Sequence, residues 1–270
     1  MIPNYRDKYD ADAVVTPADA VTLFGDGLPT VPAAVILGYQ EELTRAVREQ
    51  ARAPVDIVRY QRLFPVCETV GYVPVHEWGI GAPVTATVTE NLIAAGAEAV
   101  TILGGCACLQ PDVSADVAIL PTEAIRDEGV SYHYVPGETP VTPTESLVES
   151  ITDRLASAGF DTRQAPTWTT SAMYRETRPE VEQYRDDGVV SLGMESAAMW
   201  AVCQYRGADA ATVHEIGDYL APDEWVPDAN SEHGLAAMLD PTIRALAEHV
   251  STSKTPFIDG ATYPRGDRPN

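Results

Sequence analysis

Two acids, Glu195 and Asp218, are the side chains whose type and spacing are most ready to do chemistry. Glu195 follows an apolar run, Val189–Leu192, and precedes a helix-like stretch from Ser196 to Tyr205 that is apolar at Ala197, Ala198, Met199, Ala201 and Val202. Asp218 closes a second apolar run, Ala210–Ile216, with Gly217 before it. A strand-to-helix turn and a strand end are where open α/β sheets place their ligand crevice. A carboxylate in such a crevice can accept two hydroxyl hydrogen bonds from a sugar. Glu195 can also be read more plainly, as a negative charge favoured by a helix N-terminus. The residues by themselves leave both readings open.

The elements that must position these acids follow from apolar runs and their punctuation. Val31–Leu37 and Ala99–Leu103 read as buried strands ending in Gly38 and Gly104-Gly105. Helices are expected from Pro17 to Phe24, Gln40 to Ala51, Val84 to Ala95 and Thr144 to Ala158, the last with Leu147, Ile151 and Leu155 at helical spacing. Gly207 reads as the left-handed cap of the Ser196–Tyr205 helix. In Gly79-Ile80-Gly81-Ala82-Pro83, two glycines and a helix-starting proline allow a ligand to approach backbone N–H groups closely. A strand-turn-helix-strand unit of this size implies parallel strands joined by a right-handed crossover. Further strands are expected at Val55–Tyr60 and Val113–Leu120, and Val66–Val70 with Tyr72–Glu77 as a hairpin about Gly71. Ala221–Asn230 reads as a loop, Glu232–Val250 as a helix interrupted at Pro241, and residues 251–270 as a tail with little to bury.

Composition narrows the classes of function. A chain of 270 residues, 45% hydrophobic, supports one large α/β domain, here residues 1–250. A formal net charge of −22 repels nucleic acid and anionic membrane, so neither is expected as a partner. Among the 18 cations only Lys8 and Lys254 are lysine, and the acids are spread along the chain, a pattern suited to high salt. The N-terminus is polar, unlike a secretory signal, and four cysteines suit a reducing cytoplasm. Cys106 and Cys108 read as small packing residues; with no partner pair at ligand spacing, no metal is expected. His76, His214, His233 and His249 likewise lack metal-like spacing.

Several segments, in order, resemble the nucleoside phosphorylase superfamily of uridine and purine nucleoside phosphorylases and methylthioadenosine nucleosidases. They are Gly79-Ile80-Gly81-x-Pro83, Glu90-Asn91-Leu92, Gly96-Ala97, Gly104-Gly105, Leu109-Gln110-Pro111, Asp116-Val117, Pro121-Thr122, Arg126-Asp127-Glu128-Gly129-x-Ser131-x-His133-Tyr134 and Met194-Glu195-Ser196-Ala197. The likeness covers about residues 31–250 and is strongest to uridine phosphorylase in the middle of the chain. It implies a three-layer α/β/α fold with a mixed, partly barrel-like central sheet, no cofactor, a small-molecule nucleoside as partner, and a cytoplasmic homo-oligomer (dimer or hexamer).

By that resemblance Glu195 accepts hydrogen bonds from the ribose hydroxyls and Met194 lies against the sugar. A further family glutamate falls on Gly193. Loss of the base leaves an oxocarbenium-like sugar, which a nearby carboxylate stabilises more than it stabilises the ground state. Asp218 resembles the acid that donates a proton toward N7 of a departing purine, a role that needs a raised pKa. The uracil-holding Gln/Arg loop of the uridine branch is replaced by Met173, Tyr174, Arg175, Glu176 and Thr177, so the base site formed by Met173, Tyr174 and Arg175 leans toward purines.

The phosphate site departs from the family. Gly-Asp-x-x-Arg becomes Gly38-Tyr39-Gln40-Glu41-Glu42, a second arginine falls on Ile102 and a threonine on Gly105. Arg62 matches an arginine lent by the neighbouring subunit. A carboxylate ~4 Å from a phosphate charge costs about 4 kcal/mol per pair at an effective dielectric near 20. The nucleosidase branch has a water-activating glutamate in this loop, a role that Glu42, or Glu41 beside it, would take. The expectation is a purine-leaning, hydrolytic cleavage of the N-glycosidic bond. A phosphate-dependent nucleoside (uridine) phosphorylase and a non-catalytic nucleoside-binding homologue are the alternatives.

Overall fold

The computed structural model describes residues 5–24, 28–57, 61–229 and 234–252. Ten strands run in chain order: β1 (Ala34–Gly38), β2 (Val55–Asp56), β3 (Arg62–Pro65), β4 (Val70–Pro74), β5 (Ala99–Cys108), β6 (Ala118–Asp127), β7 (Thr162–Thr170), β8 (Ser191–Gly193), β9 (Asp209–Leu220) and β10 (Trp225–Val226). Seven helices accompany them: α1 (Pro17–Phe24), α2 (Glu41–Gln50), α3 (Ala82–Ala94), α4 (Glu145–Ser157), α5 (Arg178–Asp186), α6 (Ser196–Arg206) and α7 (Leu239–Thr252).

The fold is α/β, a mixed ten-stranded sheet between two helical layers, in the order β10-β9-β6-β7-β8-β5-β1-β4-β3-β2. β1 is buried at every position, as a strand covered on both faces must be. One core packs α2, α4 and α7 against one face through Leu43, Val47, Leu147, Ile151, Leu246 and Val250. The other packs α3 and α6 against the opposite face through Val88, Leu92, Met199 and Trp200. β9 also pairs with β5 over a long parallel register, and touches β6 at the single pair Ile119↔His214. The pairings β5-β8-β7-β6-β9 therefore close a ring through one thin joint, which makes the sheet partly barrel-like and not a clean barrel.

Helix placement follows from local sequence. α6 is buried from Ser196 to Cys203 and stops at Gly207, whose φ of 73° is the left-handed cap. α5 starts at Thr177, whose side chain and that of Glu180 form a reciprocal capping box. Burying Leu43 and Val47 completely, at about 1.5–3 kcal/mol each, holds the N-terminus of α2 against the sheet. That fixes where Glu41 and Glu42 emerge.

Several boundaries differ from the sequence expectations. β5 does not end at Gly104-Gly105 but runs on to Cys108, because β9 supplies a pairing partner along its whole length. β9 likewise passes a bulge at Gly217 and continues to Leu220. The hairpin is formed by β3 and β4 and turns at residues 66–69. Gly71 lies inside β4, where the Leu63 side chain leaves no room for a Cβ (2.8 Å). The strand expected from Val113 begins at Ala118 and extends through Pro121 to Asp127, across a register irregularity. Pro241 does not interrupt α7; it sits in the first turn, where its missing N–H costs nothing. The loop after β9 holds the short strand β10. The ends of the Val55–Tyr60 strand and the Glu232 helix start, and the tail beyond Thr252, lie outside the described residues.

Candidate active site

The site is organised by a break in the sheet. β1 pairs with β5 only as far as Gly38↔Leu103, and β8 takes over at Leu192↔Ala107. Among the described residues, Gly104, Gly105 and Cys106 thus have β9 on one side and no strand on the other. The strand order switches here, as at the ligand crevices of open α/β sheets. The walls are Gly38-Tyr39-Gln40 after β1 and Gly193-Met194-Glu195 after β8. Gly38 itself is required by packing, since a Cβ would lie 2.0 Å from the Tyr72 hydroxyl.

Glu195 is the N-cap residue of α6, yet its side chain does not cap that helix. Its Oε1 accepts the Gly81 N–H at 2.8 Å and its Oε2 accepts the Met194 N–H at 3.0 Å. Glu195 is thus bonded to the loop before α3 and not to the first turn of α6. Gly81 can serve because its φ of 87° turns the N–H outward, a conformation glycine adopts freely. Thr85 donates to Gly81 O at 2.9 Å and is bonded in turn to the Tyr39 hydroxyl at 2.6 Å. Burial raises the Glu195 pKa, and the two N–H bonds only partly oppose it. Tyr39 is pushed well up by burial and by the Glu195 charge, so it stays a neutral phenol. The Met194 thioether reaches over Gly81, its Cε 3.8 Å from where a Cβ would stand.

Asp218 lies on the other side of β5. It is the register partner of Ala107, whose opposite neighbour is Leu192. Leu192, three residues before Glu195, is thus about two strand spacings, ~10 Å, from Asp218 across one strand. Asp218 Oδ2 accepts the Trp225 indole N–H at 2.6 Å; burial raises its pKa and this bond opposes the rise. Arg178 donates to Asp223 at 2.6 Å, joining the start of α5 to the β9–β10 turn. That contact brings the 173–177 segment beside Asp218. Glu176 is pushed up to about 7, first by burial and then by the Asp218 charge. Met173, Tyr174 and Arg175 form a single 3-10 turn there, with Tyr174 95% exposed and thus on the rim.

The third wall is acidic. Glu215, the register partner of Gly105, is raised to about 7 by burial and by the charge of Glu42, while the Leu235 N–H lowers it. Glu42 Oε1 lies 3.1 Å from the position of a Cβ on Gly234. The Gln40 amide covers Gly104 and Gly105 at 3.2–3.3 Å from their Cβ positions, with its Oε1 buried and unpartnered. Arg62 stands on β3, half exposed and 3.8 Å from Asp56, with β4 and β1 between it and the crevice.

The structure therefore gathers Glu195, Met194, Gly38, Gly104, Gly105, Glu42 and Asp218 around one stretch of β5, puts Met173, Tyr174 and Arg175 on its rim, and leaves Arg62 outside. Sequence reasoning missed Tyr39, Gln40, Glu176, His214 and Glu215. The available signal was His214-Glu215, two polar residues interrupting an apolar strand. Cys106 and Cys108 are core residues beside Val190 and Ile216.

A mixed sheet between two helical layers, broken beside β5 with Glu195, Asp218 and Glu215 around the break, defines the class as an α/β protein. The comparisons with known proteins identify it more narrowly. A profile of the phosphorylase superfamily matches residues 32–256, and the chain belongs to that superfamily. It is 25% identical over 155 residues, 57% of this chain, to a guanosine phosphorylase of Halorubrum lacusprofundi, and 42% identical over 86 residues, 32% of this chain, to a uridine phosphorylase of Treponema pallidum. The matched stretches span 64% and 33% of those relatives. In fold it is similar to a purine nucleoside phosphorylase of Toxoplasma gondii (TM-score 0.70, 19% identity, 83% of this chain and 93% of that one). It is also similar to an AMP nucleosidase of Bacteroides thetaiotaomicron (TM-score 0.65, 21% identity, 82% and 90%).

Proposed function

We propose that this protein cleaves the N-glycosidic bond of a nucleoside, with a purine as the leaving base and water as the nucleophile. The observation that carries the hydrolytic part is the Glu42–Glu215 pair beside Gly105, with Glu215 titrating near neutral pH. A carboxylate poised near the working pH is an efficient general base, and two acids repel a phosphate dianion from the same wall. Glu195 faces the sugar and stabilises its developing positive charge. Asp218 protonates the departing base, and Glu176 beside it keeps a proton available at neutral pH. All of this is done by side chains and water, with no cofactor. Arg62, exposed on β3, serves a neighbouring copy in a homo-oligomer.

Base release from guanosine, inosine, adenosine and uridine, measured with and without phosphate, tests the reading. Free ribose as product, at a rate independent of phosphate and reduced in Glu42→Gln and Glu215→Gln, is expected. Strict phosphate dependence with ribose 1-phosphate as product overturns it. It would favour the second reading, phosphorolysis, which the guanosine, uridine and purine nucleoside phosphorylases among the relatives support.

A further inference from the structure

Gly193 is a glycine without a backbone reason. Its φ is not left-handed, and a Cβ there would make only ordinary contacts, with His214 Nε2 at 3.6 Å, His214 Cε1 at 3.7 Å and Glu195 Oε2 at 3.9 Å. The space it leaves open is framed by an imidazole and a carboxylate. His214 is 3% exposed, and its Nδ1 is buried without a hydrogen-bond partner. Burial lowers its pKa to about 4, so the ring is neutral and carries one proton. A buried N–H with no acceptor is rarer and costlier than an acceptor left short. The proton therefore belongs on Nε2, the nitrogen that faces the open space. Across that space each Glu195 oxygen takes one backbone N–H and keeps a free lone pair.

We propose that His214, Glu195 and the missing side chain at Gly193 form a subsite for one ribose hydroxyl, which accepts from His214 Nε2–H and donates to Glu195 Oε2. A hydroxyl is the small group that satisfies a donor and an acceptor at once. The subsite makes His214 a specificity-determining residue that selects ribonucleosides over a deoxynucleoside. It rests on the reading of the crevice as a nucleoside site, but not on turnover.

The test is equilibrium binding by calorimetry of guanosine, 2′-deoxyguanosine and 3′-deoxyguanosine to the full chain. The wild type is expected to bind guanosine about tenfold more tightly than one of the two deoxynucleosides. In His214→Ala that ratio falls to about one, while discrimination against the other deoxynucleoside is kept. Gly193→Ala, whose methyl enters the open space at ordinary contact distances, weakens guanosine and the deoxynucleoside that keeps this hydroxyl, spares the one that lacks it, and leaves the melting temperature unchanged. Nitrogen-15 shifts of His214 report a neutral ring protonated at Nε2, and the shift of that nitrogen moves when guanosine binds. Unchanged discrimination in a folded His214→Ala, or full guanosine affinity in Gly193→Ala, overturns the subsite. Selective binding without turnover overturns the reaction and keeps the subsite; no guanosine binding by the wild type overturns both.

Discussion

Replacing Glu215 by glutamine is expected to stabilise the fold at alkaline pH while abolishing most of the activity. The Glu215 carboxyl is raised from 4.5 to about 7, so the folded chain holds a proton there that the unfolded chain has released. Stability therefore falls as pH rises from about 4.5 to about 7, and the full penalty is present above 7. The shift of about 2.5 units corresponds to an upper bound of about 3.4 kcal/mol. Because Glu215 is only half-buried, solvent screening reduces this to about 1–2 kcal/mol. For a domain of this size that amounts to about 2–6 °C in Tm. Glutamine keeps an acceptor for the Leu235 N–H and removes the repulsion from Glu42. Thermal melts at pH 8 should show the variant above wild type, and at pH 4 the two should coincide. Base release should fall by about 10²–10⁴, the contribution of a general base. A variant that melts lower than wild type at pH 8, or that is more stable yet fully active, would falsify the reasoning.

Other perturbations probe the remaining walls. The pH profile of kcat/KM should be bell-shaped about neutrality, rising as Glu215 ionises and falling as the Asp218–Glu176 pair loses its proton. Trp225→Phe removes the bond that holds the Asp218 pKa down, so the alkaline limb should move to higher pH; a limb that moves lower contradicts the assignment. Glu195→Gln puts an amide NH₂ against a backbone N–H, either Gly81 or Met194, and should lower kcat by about 10²–10³. Full activity in that variant would remove Glu195 from the reaction. Gly38→Ala should lose about 1–3 kcal/mol of stability or force Tyr72 to move, and Tyr72→Phe should not rescue it because the ring carbon Cζ is itself 2.4 Å away. Melting of the single and double variants decides this.

The sequence by itself determined the class of fold, the family resemblance and the two acids proposed to carry the chemistry. These were legible because they are local: apolar runs bounded by glycine, a Gly-x-Gly-x-Pro helix start, and the Met194-Glu195 pair opening a buried helix. It could not show that Gly104-Gly105 lie inside a strand, because only pairing with β9, more than a hundred residues later, carries β5 past them. Nor could it show the break between β1 and β8 that makes those glycines the floor of a crevice. Nor could it show that the Gly81 N–H reaches Glu195 across 114 positions. Alternation along β9 sends His214 toward Glu195 and Glu215 toward Glu42, so two adjacent residues take different chemistry from opposite faces of the sheet. A side chain's proton affinity depends on what it is buried against. That is a property of the assembled sheet, and no spacing along the chain encodes it.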